Sequence, residues 1–208
     1  MRLSHLEVGQ FLADPTGWMT SRGEGRSVFR LGYAQATKLA IYRFHRSGSE
    51  VEAVAHLEGL IDRAGLTSLT RALQAEDALR AYIAWSRASR PVTAATRLRV
   101  DLELAPGWTM GGEVSRVDVG SRNYRAVLLG VGSTALGSEI RMPLLQRAVA
   151  TRLQRPEAEV EIGVQAIDGA DLSTRSFDTA AIDVACLSIR SAIEGLRVAA
   201  VHPSMRSR

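Results

Sequence analysis

The change of period at Arg90-Pro91 constrains this chain more than any other feature. From Arg97 to Leu104 the residues alternate without a break: Leu98, Val100, Leu102 and Leu104 face one way, Arg97, Arg99, Asp101 and Glu103 the other. Residues two apart share a face of a strand, so the segment is a half-buried strand with a solvated, charged outer side. Before the proline the apolar residues recur every three or four positions, which is the helical period. The sequence therefore predicts a single domain over 1–208, helical over 1–90 and built on a sheet with flanking helices over 91–208. A chain of 208 residues is long enough for a substantial core.

Four helices are expected in the first part. Ser4 and Glu7 have capping-box spacing ahead of Leu6, Val8, Phe11 and Leu12, predicting a short helix over 4–13 that stops at Asp14-Pro15. Ser27 caps a second helix to about Arg46, with Val28, Leu31, Leu39 and Tyr42 or Phe44 inward. Ser49 starts a third that ends at Gly65. A fourth covers about Thr67 to Trp85, with Leu69, Leu73, Leu79, Tyr82 and Ile83 on its apolar side. After Pro106-Gly107 a second strand runs from Gly112 to Val119. A turn over Gly120–Asn123 leads to a third, Tyr124 to Val131, apolar almost throughout. A helix over Glu139–Leu153, a strand over Glu159–Ile167 and a helix from Asp178 to about Val201 complete an α+β arrangement with a small mixed sheet.

Composition mainly excludes. No apolar stretch in the first thirty residues has signal-peptide character, and no run is long enough to span a bilayer, so a soluble, cytoplasmic protein without membrane contact is expected. The lone Cys186 rules out an internal disulfide framework and a multi-cysteine metal site. Of 26 basic residues only Lys38 is lysine, and the formal charge of +4 is a mild excess that permits a polyanionic partner.

The order of helix, three antiparallel strands, helix and strand resembles the core of the PD-(D/E)XK nuclease superfamily, and local sequence is similar to its RecB-like branch, which includes the AddB and CRISPR adaptation nuclease domains. "LSHLEVGQFLADPTGW" looks like that branch's opening helix, with Asp14-Pro15 at the Cys-Pro position. "LGYAQATKLAIYRF" looks like the following Gly-x-x-x-His segment, with Ala36 for the histidine. "GEVSRVDV", Gly112 to Val119, resembles the second strand, with Ser115 at the metal-binding aspartate. "YRAVLLGVGS" stands where Asp-Tyr-Lys-Thr-Gly would, with Leu129 for the aspartate and Val131 for the lysine. "LLQRAVATRL" keeps Gln146 of a Gln-x-x-x-Tyr pair and has Ala150 for the tyrosine.

The resemblance implies a restriction-endonuclease-like core whose hydrolytic residues have been replaced. Phosphodiester hydrolysis at such a site needs carboxylates for Mg²⁺ and a cation near the attacking water. Val127, Leu129 and Val131 instead give one strand face an aliphatic surface, and Ser115 offers a neutral hydroxyl. Any displaced site would draw on Glu113, with Asp101 and Glu103 on the preceding strand and Lys38 as the single available lysine. A salt-bridged, solvated face accounts for Asp101 and Glu103 without chemistry.

Other signals have plainer explanations. "HLEGLIDRAG" echoes a homing-endonuclease helix by chance on an amphipathic segment. Glu52 and His56 are spaced as an exposed ion pair rather than as two of three metal ligands. His5, His45 and His202 have no catalytic spacing, and Cys186 lies in an apolar stripe. Trp18 and Trp108 fall where a loop or turn would expose them. Arg141, Arg147, Arg152 and Arg155 lie on or near the late helix, where a phosphate backbone or solvent would equally suit them. The expected nucleic-acid contacts are Arg116, Gln146, Arg147 and Arg155.

The resulting expectation is a catalytically inactive nuclease-like domain with no cofactor and no metal site. It would serve as a nucleic-acid-binding or scaffolding subunit, with protein partners, in a larger nucleic-acid-processing or defence complex. The alternatives are a protein-docking module without nucleic acid and an active metal-dependent nuclease with a displaced site.

Overall fold

Short polar side chains and a left-handed glycine set several helix boundaries in the computed structural model, which describes residues 1–23, 31–130 and 139–201. Along the chain come β1 (Arg2–Ser4), α1 (Val8–Ala13), α2 (Pro15–Gly23), α3 (Tyr33–Ser47), α4 (Glu50–Arg63) and α5 (Leu69–Ser89). They are followed by β2 (Thr93–Ala105), β3 (Trp108–Val119), β4 (Tyr124–Leu129), α6 (Arg141–Leu153), a 3-10 turn at Glu157–Glu159, β5 (Val160–Gln165), β6 (Ser173–Arg175) and α7 (Thr179–Val201). Ser49 Oγ accepts the Glu52 amide at 3.3 Å to start α4, and Asp178 Oδ1 accepts the Ala181 amide at 2.8 Å to start α7. Gly48, at φ 69°, ends α3 in a conformation that costs other residues a Cβ clash.

The N-terminal segment departs from the single helix expected over 4–13. Ser4 ends β1, and Glu7 Oε2 accepts its amide at 2.9 Å. Pro15 does not close the helical region but opens α2. Its missing N–H is harmless in a first turn, and Asp14 Oδ1 accepts the Gly17 amide at 2.8 Å. The second expected helix begins at Tyr33, and the proposed cap Ser27 and Val28 lie outside the described residues. On α5 the buried stripe passes through Ala75, Leu79, Tyr82 and Ile83. Leu69 and Leu73 flank it and are exposed, contrary to the expected core face.

The sheet is mixed. β2 lies antiparallel along one edge of β3, with Leu102 opposite Met110 and Ala95 opposite Val117. The other edge of β3 is shared: β1 runs parallel beside Thr109–Gly111, and β4 runs antiparallel beside Arg116–Val119. β5 is parallel to β4, and β6 is antiparallel to β5. β1 and β6, three residues each, are too short for any periodicity to announce them.

Helices cover both faces. α1, α2, α6 and α7 pack on the face carrying Val100, Leu104, Met110, Val114, Val117, Ala126 and Leu128. α3, α4 and α5 pack on the opposite face, where β4 contributes Val127 and Leu129. β4 is thus buried on both sides, which explains its unbroken apolar run. Trp18 and Trp108 are not exposed as expected but buried, and both close on Phe11: its ring centroid is 5.2 Å from Trp18, edge to face, and 5.6 Å from Trp108. This triad holds α1 and α2 onto the start of β3. Replacing Phe11 with Ala is expected to cost about 3–5 kcal/mol, read from urea unfolding. A loss under about 1 kcal/mol would mean that the triad does not anchor the segment.

Candidate functional site

β1 and β4 approach each other head-on along one edge of β3. β1 pairing ends at Ser4 opposite Gly111, with His5 N donating to Gly111 O at 2.8 Å. β4, running the other way, ends its pairing at Val127 opposite Arg116. Between them, among the described residues, no strand pairs with Gly112–Ser115 on that edge. Ser115 partly closes this gap, since its Oγ accepts the Leu129 amide at 3.0 Å in a buried setting. These are the two positions at which the resemblance places carboxylates. Ser115 is 1% exposed and engaged by a backbone amide, and Leu129 is 3% exposed within the α3–α5 core. Val131, at the position of the lysine, lies outside the described residues.

The polar groups of the gap gather around Glu113. Tyr42 donates its hydroxyl to Glu113 Oε1 at 3.2 Å, and Arg97 Nη2 donates to Oε2 at 3.4 Å. Arg97 and Lys38 both lie against the Tyr42 ring, 5.3 and 5.9 Å from its centroid. Lys38 and Tyr42 are four residues apart, so α3 presents them on one face. His5 is 6% exposed, and its ring lies so close over Gly112 that a Cβ there would meet it at 3.0 Å. Its Nδ1 is buried without a hydrogen-bond partner. Arg141, buried at the start of α6, also bears on this histidine.

Burial dominates the electrostatics here. It pushes His5 down to about 4, reinforced by the charges of Arg141 and Lys38, so the ring is neutral at pH 7. Burial also lowers Lys38, with Glu113 opposing the shift and Arg97 adding to it, and it raises the Tyr42 phenol. Lys38 and Arg97 therefore face one carboxylate, Glu113. Among the described residues no group of three His, Cys, Asp or Glu side chains could hold a metal ion. The acids considered for a displaced site do not converge with Glu113. Asp101 is exposed and pairs with Arg2 at 2.6 Å, while Glu103 is exposed on the same outer side of β2.

The four expected nucleic-acid contacts occupy three separate environments. Arg116 is 0% exposed. Its Nε donates to both Asp118 oxygens at 2.9 and 2.8 Å, Nη1 donates to the Tyr82 hydroxyl at 2.6 Å, and the guanidinium lies 4.7 Å from the Trp85 ring centroid. Thr93 adds a hydroxyl to Asp118, and His45 Nε2 lies 2.8 Å from the Tyr82 oxygen. Burial outweighs Arg116 at Tyr82, whose phenol is pushed up to about 12. Gln146 is fully buried as well. It donates to the carbonyls of Glu157 and Phe177 and accepts the Phe177 amide, tying the turns before β5 and α7 to α6. Arg147 is held by Glu157 and Asp183, with the Cys186 sulfur 3.1 Å away. Arg155 is exposed, over the Tyr124 ring. Among the described residues, Arg155 alone of the four has no ion-pair partner and presents its charge to solvent. Glu52 pairs with Arg43 rather than with His56.

The signals that pointed to this cluster were Glu113, as the acid any displaced site would draw on, and the uniqueness of Lys38. His5 gave no signal, because the strand that delivers it is only three residues long.

Two outcomes follow from these burials. Replacing Asp118 with Ala leaves the Arg116 charge buried and is expected to destabilise by about 3–5 kcal/mol in chemical unfolding. A change within about 0.5 kcal/mol would contradict a closed buried pair. His5 binds a proton more readily in the unfolded chain, near pH 6.5, than in the fold, near 4. Its contribution is thus complete above pH 6.5 and is lost as pH falls towards 4, by up to about 3 kcal/mol. In His5→Gln the decline of stability across that window becomes shallower, and an unchanged slope would show that the ring is not buried neutral.

No family model matches the chain, and no curated protein matches it. A solved structure described as the crystal structure of SSO0001 is similar to this chain at a TM-score of 0.35 and 9% identity, covering 90% of this chain and 85% of that one. A likeness at that level carries no argument about fold family or function.

Proposed function

We propose that this chain is a nuclease-like domain that does no hydrolysis and binds nucleic acid as a subunit of a larger nucleic-acid-processing or defence complex. The observation that carries the reading is the hydrogen bond from the Leu129 amide to Ser115 Oγ, with the Leu129 side chain in the α3–α5 core. A catalytic pair at these positions would project two carboxylates beside a cation. Here a neutral hydroxyl is occupied by a backbone amide, and an aliphatic side chain fills the neighbouring space. The cations around Glu113 support binding of a polyanion over metal-assisted cleavage, since a hard cation there would face Lys38 and Arg97.

A protein-docking reading without nucleic acid is favoured by one observation, the exposure of Val184, Leu187 and Val198 along the outer side of α7. Nucleic-acid titration separates the two. In the polyanion reading, single-stranded DNA binds at 50 mM salt and weakens on the order of tenfold or more by 200 mM as released counterions oppose association. Absence of binding at low salt favours docking. No cleavage of DNA or RNA is expected with Mg²⁺ or Mn²⁺. Cleavage that Glu113→Ala abolishes would overturn the proposal in favour of a displaced active site.

A further inference from the structure

A cleft of about 330 Å³ opens where the end of α5 meets the turn between β3 and β4. Trp85, Pro91, Val92 and Leu172 make its apolar wall, and Asp118 and Asn123 its polar edge. The Trp85 ring is half-buried and held in place, with the Arg116 guanidinium 4.7 Å and the Tyr82 ring 5.5 Å from its centroid. Asn123 donates its side-chain amide to Glu161, which leaves its side-chain oxygen able to accept. Gly120 lies so close to that oxygen that a Cβ there would strike it. Two exposed arginines flank the cleft, Arg90 next to Pro91 and Arg122 next to Asn123, and neither has an ion-pair partner among the described residues. Arg155, over the Tyr124 ring, lies at the same end of the sheet. The loop that brings Leu172 carries Asp168 and Asp171, so the positive rim is on the side of the β3–β4 turn.

We infer that this cleft seats one unstacked base of a single-stranded nucleic acid. Trp85 and its aliphatic neighbours lie against the base, Asn123 and Asp118 meet its edge, and Arg90 and Arg122 take the flanking phosphates. The inference rests on the nucleic-acid reading and gives it a place of contact. An aromatic platform, a hydrogen-bonding edge and a cationic rim are the means by which proteins hold single strands. Small-molecule sites run from about 300 to 1,000 Å³, so a cleft at the lower limit suits a single base and is too small for a dinucleotide. A base must leave its stack to enter, which selects a single strand over a duplex. Because Arg116 and Tyr82 already fix the indole, little ordering of the ring remains when the base arrives.

Tryptophan emission makes the test direct, because Trp18 and Trp108 are buried in the core while Trp85 lines the cleft. The full chain is titrated at about 50 mM salt with a fluorescein-labelled thymidine octamer and with an abasic octamer that keeps the phosphates, affinity being read by anisotropy. In parallel, the unlabelled octamers are followed by tryptophan emission. The thymidine octamer is expected to quench Trp85 saturably and to bind about tenfold or more tighter than the abasic one. Val92 is 67% exposed, so Val92→Glu leaves the core alone while placing a carboxylate in the cleft wall, and it removes most of that advantage. Trp85→Leu brings the two octamers to equal affinity, and if that variant fails to fold, quenching and Val92→Glu still decide. Arg90, at φ 45°, is replaced by Asn, which tolerates that conformation, and Arg122 by Ser. Both changes weaken the two octamers alike, as loss of a phosphate contact requires.

Equal affinity of the unaltered protein for the two octamers overturns the inference. So does a thymidine octamer that binds by anisotropy without moving Trp85 emission and without regard to Val92→Glu. Either result leaves the nucleic-acid reading intact, with the strand held elsewhere. Binding of neither octamer at low salt overturns the inference together with the reading it rests on.

Discussion

The competition of three strands for the two edges of β3 fixes the rest of the architecture. β2 takes one edge over almost its whole length, so β1 and β4 must divide the other. Since they arrive from opposite directions, the four residues between their ends cannot be served by a ladder. Buried amides without partners are expensive, and a side-chain acceptor is the nearest remedy. Ser115 provides it to Leu129. The same division explains why α1 and α2 return to the N-terminal half of β3. β1 is too short to stay there by its own hydrogen bonds, and the Phe11–Trp18–Trp108 contact supplies the apolar burial that keeps it in place.

Alternation along β3 is broken at the point where the ladder is. Val114 and Val117 both face the α6–α7 core, three residues apart, where a regular strand would separate residues on one face by an even number. Glu113 and Ser115 consequently reach α3, and Arg116 and Asp118 reach α5. On the facing stretch of β2, Arg97 has φ 55°, a left-handed conformation costly for a residue with a Cβ. Such irregularities re-aim side chains, and here the effect is to place two polar networks side by side beneath one helical layer. One is enclosed: Arg116, Asp118, Tyr82, Thr93 and His45 bond to one another inside the protein. The other, around Glu113, is open to solvent at Arg97.

What could be read from the sequence follows the length and regularity of each element. β2 was legible because eight residues alternate strictly, and α4 because Ser49 begins it and an unbroken helical period follows. β1 and β6 have three residues each, below the length at which any period exists, and the helix expected over 4–13 absorbed the first of them. Pro15 was read as a stop, although the same residue type begins helices when an aspartate precedes it. Residue type misled most at Arg116 and Gln146. Arginine and glutamine favour surfaces, and no local pattern shows that a carboxylate two residues along the same strand, or three backbone groups from distant turns, will enclose them. The Glu113 cluster was half legible: its acid and its lysine were both identified, but their meeting depends on α3 crossing the sheet, a tertiary fact.

The two networks use the two cation types in ways that match their physics. A guanidinium is planar, carries five donors and stays charged when buried, so Arg116 can chelate Asp118, meet Tyr82 and lie on Trp85 at once. It forms an enclosed structural centre, although its Nη2 is buried without a hydrogen-bond partner. An ammonium is a compact charge on a flexible stem whose pKa yields to its surroundings. Lys38 has been placed where burial disfavours its charge, with Glu113 near enough to sustain it but claimed by Tyr42 and Arg97. A cation held in that state gains stabilisation from a nearby anion. With twenty-five arginines in the chain, the position beside Glu113 is held by its only lysine. The enclosed network is thus built on an arginine, and the open one combines Arg97 with that lysine.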